Sequence, residues 1–577
     1  MANTMASSVF SVTAPALGVR TPSPGSSLAP PLAAPCSMGS HTVGSEKTPV
    51  VPSLSFARNA QGTPLRSRRR DTISNKRMGA RAALDINPST VPSPPASPRR
   101  SKKSLSKSKS SGSLNEDGNV FLRNQPEHEN HDPAGQRNLS TVAVILGGGS
   151  CNSTSYPLTL QRAKPAVPLG ANYRLIDVPI SNCINSGVNR MFVLTQFNSL
   201  SLNRHLAQAY PPRLIGNWST QSMVDVLAAT QRPWSKEWYK GSADAVRNHL
   251  GEITANVERV PDEAPSEYLI LSGEHLYRMN YQDLIEQHRA SGADVTIGAI
   301  RVKADNPALL GRDGAGLGIM KLNEAGKIMD FVEKPKGEKL DELAYQSVGT
   351  SEGYPYVASM GIYVFSAKAL KNLLWDNPQS NDFGSDIIPA ALKSGYNMHA
   401  RIFTGFWRDI STLRMFYDVN MKLARTPSPF NFYDRKAPIY TVSRNMPPTK
   451  LCGACVIEDT LLGEGCYIDN SIVRNSIVGS GTHLGKGCLI ENAYLMGATE
   501  LTFEDDGSDQ EEGPLGVGAG SVIRNAIVDR NVSIGKGVMI ENVAGIEECD
   551  RAHEGWVINS GLVTILHGAR IPDGTVI

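Results

Sequence analysis

The last part of the chain carries an apolar residue at every sixth position. Such a period directs one side chain per flat face into the interior of a triangular parallel β-helix, in which each coil pairs with the next. The pattern therefore predicts a β-helix over residues 451–577, and the acidic stretch at 499–514 that interrupts it predicts a surface loop. The repeating positions are Ile472, Val478, Leu484, Ile490 and Met496, then Val522, Val528, Ile534, Ile540 and Ile546, and finally Ile565, Ile571 and Ile577.

Ahead of this repeat, short apolar runs predict buried strands. Residues Thr141–Leu146 form a continuous run rich in β-branched side chains, which is typical of a strand covered on both faces of a parallel sheet. Helical patterns lie between several further runs, so the sequence predicts an α/β domain over residues 140–425 and a linker at 426–450. These further runs are Met191–Leu194, Tyr268–Leu271, Val295–Gly298 and Gly361–Phe365.

Three glycines, Gly147–Gly149, directly follow the first of these strands. At the carboxyl edge of an open α/β sheet, glycines let the backbone approach a phosphate or a base without Cβ atoms in the way. The segment is neither a P-loop nor the G-x-G-x-x-G fingerprint. A tight turn without a ligand would have the same sequence, so both interpretations stay open at this point.

The first 139 residues predict a leader without a core of its own. Glu46 is the single acidic residue before Asp71, and arginines accumulate at positions 66 and 68–70. This composition is typical of a transit peptide. Because proline and hydroxyl residues are abundant and no compact apolar segment occurs, it favours import into a plastid over mitochondrial import or secretion. The basic run at 98–112 also permits a nucleic-acid interpretation, but a solvated leader explains it better.

Charge and hydropathy exclude several classes of protein. The 58 basic and 55 acidic residues give a net charge of +3, which offers no global reason to bind nucleic acid or a membrane surface. Mean hydropathy is −0.24, and no apolar run approaches the roughly 20 residues needed to cross a bilayer. Cys452 and Cys455 form a CxxC motif without a second pair, so the sequence does not predict a zinc site.

Nine motifs of the α/β part identify a family more specifically. They are Gly147–Gly149, Arg162–Pro168, Tyr173–Pro179, Leu194–Asn198, Asn203–His205, His275–Met279, Glu333–Gly337, Ala358–Gly361 and Asn381–Ser385. Together with the β-helix they closely resemble ADP-glucose pyrophosphorylase, the glucose-1-phosphate adenylyltransferase of starch synthesis. The resemblance covers essentially everything after Ser140. It implies a Rossmann-like nucleotidyltransferase domain followed by a left-handed parallel β-helix.

The resemblance implies a reaction and a set of site residues. A phosphate oxygen of glucose 1-phosphate attacks the α-phosphorus of ATP, and pyrophosphate leaves. Because negative charge grows on the phosphate oxygens, positioning and cationic stabilisation are nearly the whole task. The implied residues are Gly147, Gly148, Gln196, Gln231 and Gly241 for the nucleotide, Lys164 for its phosphates, Glu333, Lys334, Ser359 and Trp407 for the sugar phosphate, and Glu274 and Asp409 for Mg²⁺.

Three places depart from the family pattern. The loop at 150–156 has no positive charge where catalytic members carry an arginine that grips the ATP phosphates. Glu274 replaces an aspartate at one magnesium ligand. Beside the second ligand, Arg408 replaces a glutamate and Ser411 a glycine. Since the loss of one preorganised contact to the transition state costs about 10²- to 10³-fold in rate, these departures predict an impaired catalytic centre.

A second site is implied between the two domains. Members of the family bind phosphorylated effectors or phosphate there through basic residues, for which arginine is well suited. Arg530 and His567 replace lysines, and Val442 replaces a glutamine, so effector affinity is expected to be weaker or pH-dependent. A solvated arginine cluster is the alternative interpretation. The matching residues are Arg162, Arg174, Arg190, Arg204, His205, Arg444, Arg530 and His567.

The sequence therefore predicts a subunit of an ADP-glucose pyrophosphorylase heterotetramer in the plastid stroma that acts chiefly through regulation and assembly. Two alternatives stay open. One is a fully catalytic glucose-1-phosphate adenylyltransferase, in which Arg408 supplies the missing charge from another direction. The other is a related sugar-nucleotide pyrophosphorylase that uses another base. Binding and turnover are separable, so ATP and glucose 1-phosphate are expected to bind in either of the first two cases.

Overall fold

A computed structural model describes residues 140–148, 154–211, 223–229, 238–257, 264–303, 316–344, 355–498 and 515–577. The predicted leader, the predicted acidic loop at 499–514, residues 149–153, which include the greater part of the loop at 150–156, and Gln231 lie outside the described residues. Within the described ranges, no helix has both the length and the apolar character needed to span a membrane.

The first domain is built on a mixed β-sheet with the strand order β10-β9-β11-β6-β1-β4-β5, in which β8 pairs with β11 and β12 pairs with β8. The strands of this domain are β1 (Thr141–Leu146), β2 (Pro168–Leu169), β3 (Tyr173–Arg174), β4 (Arg190–Thr195), β5 (Met223–Ala228), β6 (Glu267–Ser272), β7 (His275–Tyr277), β8 (Val295–Val302), β9 (Gly318–Leu322), β10 (Ile328–Glu333), β11 (Tyr356–Ser366), β12 (Met398–Phe403) and β13 (Trp407–Asp409).

The predicted strands all lie within this sheet, and β1 shows why its sequence is continuously apolar. It runs parallel to β4 on one side and to β6 on the other. Ala143 and Ile145 belong to the core on one face, whereas Val142 and Val144 belong to the core on the other. The sheet is parallel only in part, because β11 runs antiparallel to β6 and to β8.

Helices cover both faces of the sheet. The helix α6 begins at a side-chain cap, because Ser366 accepts a hydrogen bond from Ala369 N, and it packs on the sheet through the buried Leu370, Leu373 and Leu374. The helices are α1 (Asp177–Asn185), α2 (Leu200–Ala209), α3 (Ser242–Val257), α4 (Tyr281–Ser291), α5 (Glu338–Glu342), α6 (Ala367–Asp376), α7 (Ile388–Lys393) and α8 (Leu413–Ala424).

The second domain is a parallel β-helix, as the six-residue apolar repeat predicts. Two of its faces are sheets with the strand orders β14-β17-β20-β22-β24-β29 and β15-β18-β21-β23-β28. Its strands are β14 (Lys450–Cys452), β15 (Val456–Glu458), β16 (Leu461–Leu462), β17 (Tyr467–Asp469), β18 (Ile472–Arg474), β19 (Ile477–Val478), β20 (His483–Leu484), β21 (Leu489–Leu495), β22 (Gly516–Val517), β23 (Val522–Val528), β24 (Ser533–Ile534), β25 (Met539–Ile540), β26 (Cys549–Arg551), β27 (Trp556–Asn559), β28 (Leu562–Ile565) and β29 (Arg570–Ile571).

On one face of the β-helix, the prediction of which residues point inward is wrong by one position. Val473 and Ile523, rather than Ile472 and Val522, point into the core and align with Ile490. The cause is the length of the coil, because Val473 and Ile490 align although they are 17 residues apart, one fewer than three six-residue repeats. At the far end, Ile546 is 42% exposed, so it does not belong to the core.

The two domains share one hydrophobic core. Phe416 on α8 packs on Tyr494 of the β-helix with ring centroids 5.3 Å apart, and Tyr417 OH donates to the Asn492 carbonyl at 2.6 Å. The segment between the domains runs along α1, where Tyr440 N donates to Ser181 Oγ at 2.8 Å and Thr441 Oγ1 donates to Asp177 Oδ2 at 2.7 Å. The β-helix is therefore packed directly against the elements that carry the site.

Candidate active site

A cavity of about 660 Å³ opens where β1, β4 and β6 end, at the carboxyl edge of the sheet. The amino terminus of α3 forms another part of its wall through Gly241 and Ser242. Its lining includes Gly148, Thr159, Arg162, Lys164, Gln196, Phe197, Trp238, Tyr239, Lys240, Gly241, Gly273, Glu274 and Asp382. This edge is where open α/β sheets bind ligands.

The glycines predicted to receive a nucleotide are required by crowding. A Cβ on Gly147 would lie 2.9 Å from Val193 Cγ1, and a Cβ on Gly241 would lie 2.3 Å from the Asn381 carbonyl oxygen. Gly148 and Gln196 face each other in the lining, since a Cβ on Gly148 would lie 3.1 Å from that of Gln196. The structure thus places Gly148, Gln196 and Gly241 around one cavity, with Gly147 directly behind it.

Lys164 opens a short 3₁₀-helix, and its ammonium group has two protein partners. Its Nζ lies 2.7 Å from Glu274 Oε2 and donates to the Ser411 carbonyl, also at 2.7 Å. Burial works to raise the pKa of Glu274, but Lys164, His275 and Lys334 together outweigh burial and hold that pKa below its ordinary value. Glu274 is therefore a carboxylate at neutral pH, and it is paired with the lysine predicted to meet the phosphates.

Asp409 is brought beside Glu274 by pairing of β7 and β13, in which Asp409 lies opposite His275. Its Oδ2 accepts a hydrogen bond from Ser411 Oγ at 2.5 Å. Its Oδ1 is buried, has no hydrogen-bond partner among the described residues, and lies 3.7 Å from His275 Nε2. Burial, and then the charge of Glu274, raise the pKa of Asp409 despite the opposing effects of His275 and Ser411.

These two carboxylates fit a hard divalent cation. Mg²⁺ takes oxygen ligands, and a buried carboxylate oxygen without a partner is a suitable one. Within the described ranges, no three His, Cys, Asp or Glu side chains come together as metal ligands. A magnesium ion held by Glu274 and Asp409 would therefore need phosphate oxygens or water to complete its coordination.

Of the residues predicted for the sugar phosphate, Glu333 ends β10, Ser359 lies on β11 and Trp407 begins β13. Burial, together with the charge of Asp382, raises the pKa of Glu333, and Lys334 opposes this effect. Ser359 is buried, and its hydroxyl lies 3.5 Å from Tyr363 OH. Trp407 packs on His275 with ring centroids 5.0 Å apart and keeps a buried Nε1 without a partner. The charge of Lys334 also helps to lower the pKa of Glu274, so Lys334 lies near this predicted magnesium ligand.

Four arginines meet at the junction of the two domains. Burial, and the charges of the three other arginines, lower the pKa of Arg530 to about 9. Burial is also the main cause that lowers the pKa of Arg174 to about 10. Arg444 is half-buried in the same cluster, and Arg162 is paired with Asp529 at 2.8 Å. The mutual repulsion of these cations favours an anionic ligand.

A second cavity, of about 230 Å³, lies at this junction and is called the junction cavity here. Its lining includes Arg162, Asp529 and His567. His567 Nδ1 lies 3.2 Å from Arg162 Nη2, and burial lowers the pKa of His567 although Asp529 opposes this. His567 is therefore neutral at neutral pH, whereas a lysine at the same position would carry a positive charge.

The structure does not bring every predicted basic residue into this cluster. Arg190 lies at the amino end of β4, where it donates to the Val257 carbonyl at 3.2 Å. Arg204 is exposed on α2. His205, in contrast, adjoins the cluster: it is buried on the same helix, its Nε2 lies 2.5 Å from Asp177 Oδ1, and the charge of Asp177 acts on both Arg174 and Arg444.

Comparison with known proteins agrees with the two-domain architecture. The nucleotidyl transferase family matches residues 142–426, and the GLGC left-handed parallel beta-helix domain matches residues 444–576. A curated protein of Triticum aestivum, the glucose-1-phosphate adenylyltransferase small subunit, chloroplastic/amyloplastic, is 42% identical over 449 residues. That alignment covers 76% of this chain and 91% of the wheat protein. The chain belongs to the glucose-1-phosphate adenylyltransferase family.

Among the departures from the pattern of glucose-1-phosphate adenylyltransferases, Arg408 stands next to the second predicted magnesium ligand. Arg408 lies between Trp407 and Asp409 on β13, and side chains alternate along a strand. Its guanidinium lies over the Phe406 ring, 5.4 Å from the centroid, and donates to the Trp407 carbonyl at 3.2 Å. Among the described residues, the lining of the large cavity includes neither Arg408 nor its neighbour Asp409.

Sequence reasoning missed several residues of the adenylyltransferase cavity. Asp382 lines it and accepts hydrogen bonds from Ser242 Oγ at 3.1 Å and Gly384 N at 2.9 Å. Phe197 and Trp238 form an edge-to-face pair at 5.9 Å in the lining. Both Phe197 and Asp382 belong to family motifs, so motif membership was the available signal, but only the folded chain shows which motif residues face the cavity.

Proposed function

We propose that this chain is a plastid subunit of ADP-glucose pyrophosphorylase that binds ATP and glucose 1-phosphate but acts mainly through regulation and assembly. The carrying observation is the state of Lys164, whose ammonium lies 2.7 Å from Glu274 Oε2 and 2.7 Å from the Ser411 carbonyl oxygen. A nucleotide phosphate must compete with both partners for this lysine. The plastid assignment is supported by the composition of the leader and by the chloroplastic/amyloplastic wheat relative.

The chemistry that this centre would have to perform is an in-line displacement. A phosphate oxygen of glucose 1-phosphate forms a bond to the α-phosphorus of ATP, and the bond to the β-phosphate oxygen breaks to release pyrophosphate. Magnesium held by Glu274 and Asp409 would neutralise charge on the phosphates. Fast exchange also needs fixed cations on the leaving side. The sequence of the loop at 150–156 provides none, and Arg408 lies on Phe406.

The basic cluster supports the regulatory part of the proposal. Arg162, Arg174, Arg444 and Arg530 come from both domains, and an anion bound among them would relieve their repulsion. A phosphorylated metabolite or inorganic phosphate is the ligand class that fits. Phe416 of the catalytic domain packs on Tyr494 of the β-helix, so the domain that contributes Arg530 to the anion site is in direct contact with the catalytic domain.

Timed release of pyrophosphate by the isolated chain tests this proposal. The unmodified chain is expected to turn over at least about 100-fold more slowly than the double variant Thr154→Arg/Glu274→Asp, which restores a loop cation and the shorter carboxylate. The single variant Glu274→Asp separates the two contributions. A chain that turns over as rapidly unmodified as with both changes would contradict the impaired centre and favour the fully catalytic alternative, which the pairing of Lys164 with Glu274 and the closeness of Asp409 to both permit.

A further inference from the structure

Ser411 joins three parts of the site. Its hydroxyl donates to Asp409 Oδ2 at 2.5 Å. Its carbonyl oxygen accepts hydrogen bonds from Lys164 Nζ at 2.7 Å and from Ser155 Oγ at 3.0 Å, and it also accepts one from Thr154 Oγ1. One residue therefore contacts a predicted metal carboxylate, the phosphate-binding lysine and the loop that departs from the family.

The local backbone leaves Ser411 little freedom. On one side, Ile410 N donates to the Glu274 carbonyl at 3.2 Å. On the other, Thr412 caps α8 by accepting from Met415 N at 3.1 Å, and Leu413 N donates to the Thr154 carbonyl at 3.0 Å. Because the chain is fixed before and after it, the hydroxyl of Ser411 is held toward Asp409.

The two oxygens of Asp409 then have different environments. The hydroxyl of Ser411 donates a hydrogen bond to Oδ2. Oδ1 is buried and has no hydrogen-bond partner within the part of the chain that the structure describes. A hydrogen bond to one oxygen of a carboxylate fixes the rotation of the group and leaves the other oxygen for a ligand. A glycine at position 411 could not make this contact.

We propose that Ser411 is a positioning residue for the divalent cation that accompanies the nucleotide, acting through Asp409. This inference rests on the proposed function, since it takes Asp409 as a ligand of that cation. The hydroxyl holds the carboxylate in a single orientation, so binding the cation requires no reorientation of Asp409. Hydrogen-bond partners of metal ligands typically contribute 10- to 100-fold to metal affinity.

Direct binding of Mn²⁺ to the full chain in the presence of ATP tests this role, with electron paramagnetic resonance of free Mn²⁺ as the readout. Ser411→Ala is expected to weaken Mn²⁺ binding by about tenfold. Ser411→Thr keeps a hydroxyl and is expected to restore most of the affinity. Ser385→Ala is the matched control, because Ser385 is exposed and its hydroxyl also donates to an aspartate, Asp386 Oδ1, at 2.9 Å.

Two results would overturn the inference. One is Mn²⁺ binding by Ser411→Ala that equals or exceeds that of the unmodified chain while its thermal unfolding is unchanged. The other is a loss in Ser411→Ala that Ser411→Thr shares in full, which would assign the effect to packing. Rapid turnover by the unmodified chain would contradict the proposal of an impaired catalytic centre, but it would not change the comparison of Mn²⁺ binding between the Ser411 variants. Failure of the proposed function is therefore distinguishable from failure of this inference.

Discussion

Arg162 Nη2 lies 2.8 Å from Asp529 Oδ1, and this buried ion pair joins the nucleotidyltransferase domain to the β-helix. Arg162 also lines both the large cavity and the junction cavity. The two side chains are only 6% and 5% exposed, so water screens their attraction weakly. A ligand that moves Arg162 in one cavity therefore changes the wall of the other.

Removal of the negative partner of this pair should destabilise the chain strongly. Asp529→Asn leaves Arg162 buried without a carboxylate, and we expect the free energy of unfolding to fall by about 3 kcal/mol. Urea denaturation followed by tryptophan fluorescence measures the change. Asp550→Asn, at an exposed aspartate of the same domain, is the control and should change stability by less than about 0.5 kcal/mol. Equal effects of the two variants would contradict a buried pair.

The pH dependence of anion binding should follow His567. Burial lowers the pKa of His567, so the imidazole is neutral at neutral pH and gains a proton only as the pH falls through that lowered value. We expect sulfate, which stays fully ionised, to bind more tightly to the full chain at about pH 5.5 than at about pH 8. His567→Lys should bind sulfate about tenfold more tightly at the higher pH and lose this dependence.

Isothermal titration at both pH values measures this difference. His567→Gln is the matched control, because it removes the titrating group without adding a charge. If His567→Gln keeps the full pH dependence, another group is responsible and the prediction is wrong.

Arg530 should have opposite effects on stability and on binding. Its Nε is buried without a hydrogen-bond partner, and the neighbouring arginines repel its charge. Arg530→Met is therefore expected to raise the melting temperature of the anion-free chain while abolishing the further rise that sulfate produces. Differential scanning calorimetry with and without sulfate checks both effects. A variant that is less stable than the unmodified chain without sulfate would show that Arg530 supports the junction even without an anion.

The phase of the β-helix repeat can be tested by paired truncations. Val473 is fully buried, so Val473→Ala should lower the free energy of unfolding by about 2 kcal/mol through lost burial and the cavity that remains. Ile472 is half-buried, and Ile472→Ala should cost less than about 1 kcal/mol although it removes more atoms. Chemical denaturation of both variants shows which of the two side chains points inward. A larger loss of unfolding free energy for Ile472→Ala than for Val473→Ala would support the original prediction that Ile472 points into the core.

The candidate site could be predicted only as a set of residues. Gly148, Lys164 and Gln196 belong to motifs close in the sequence, and the edge of a parallel sheet brings such motifs together, so their common location was foreseeable. The partners of Lys164 were not foreseeable. Glu274 and Ser411 reach it from distant segments, and no local pattern states which carbonyl or carboxylate will meet its ammonium group.

The amino-acid sequence by itself determined the two-domain architecture, because a six-residue apolar period and buried β-branched runs each satisfy only one kind of packing. Tertiary structure decided the inward phase of the β-helix, since a coil in which Val473 aligns with Ile490 is 17 residues long, one residue shorter than three six-residue repeats. It also decided the charge pattern of the site. The distances between Arg162 and Asp529 or between Lys164 and Glu274 depend on how separate segments pack, and electrostatic attraction depends on those distances and on burial.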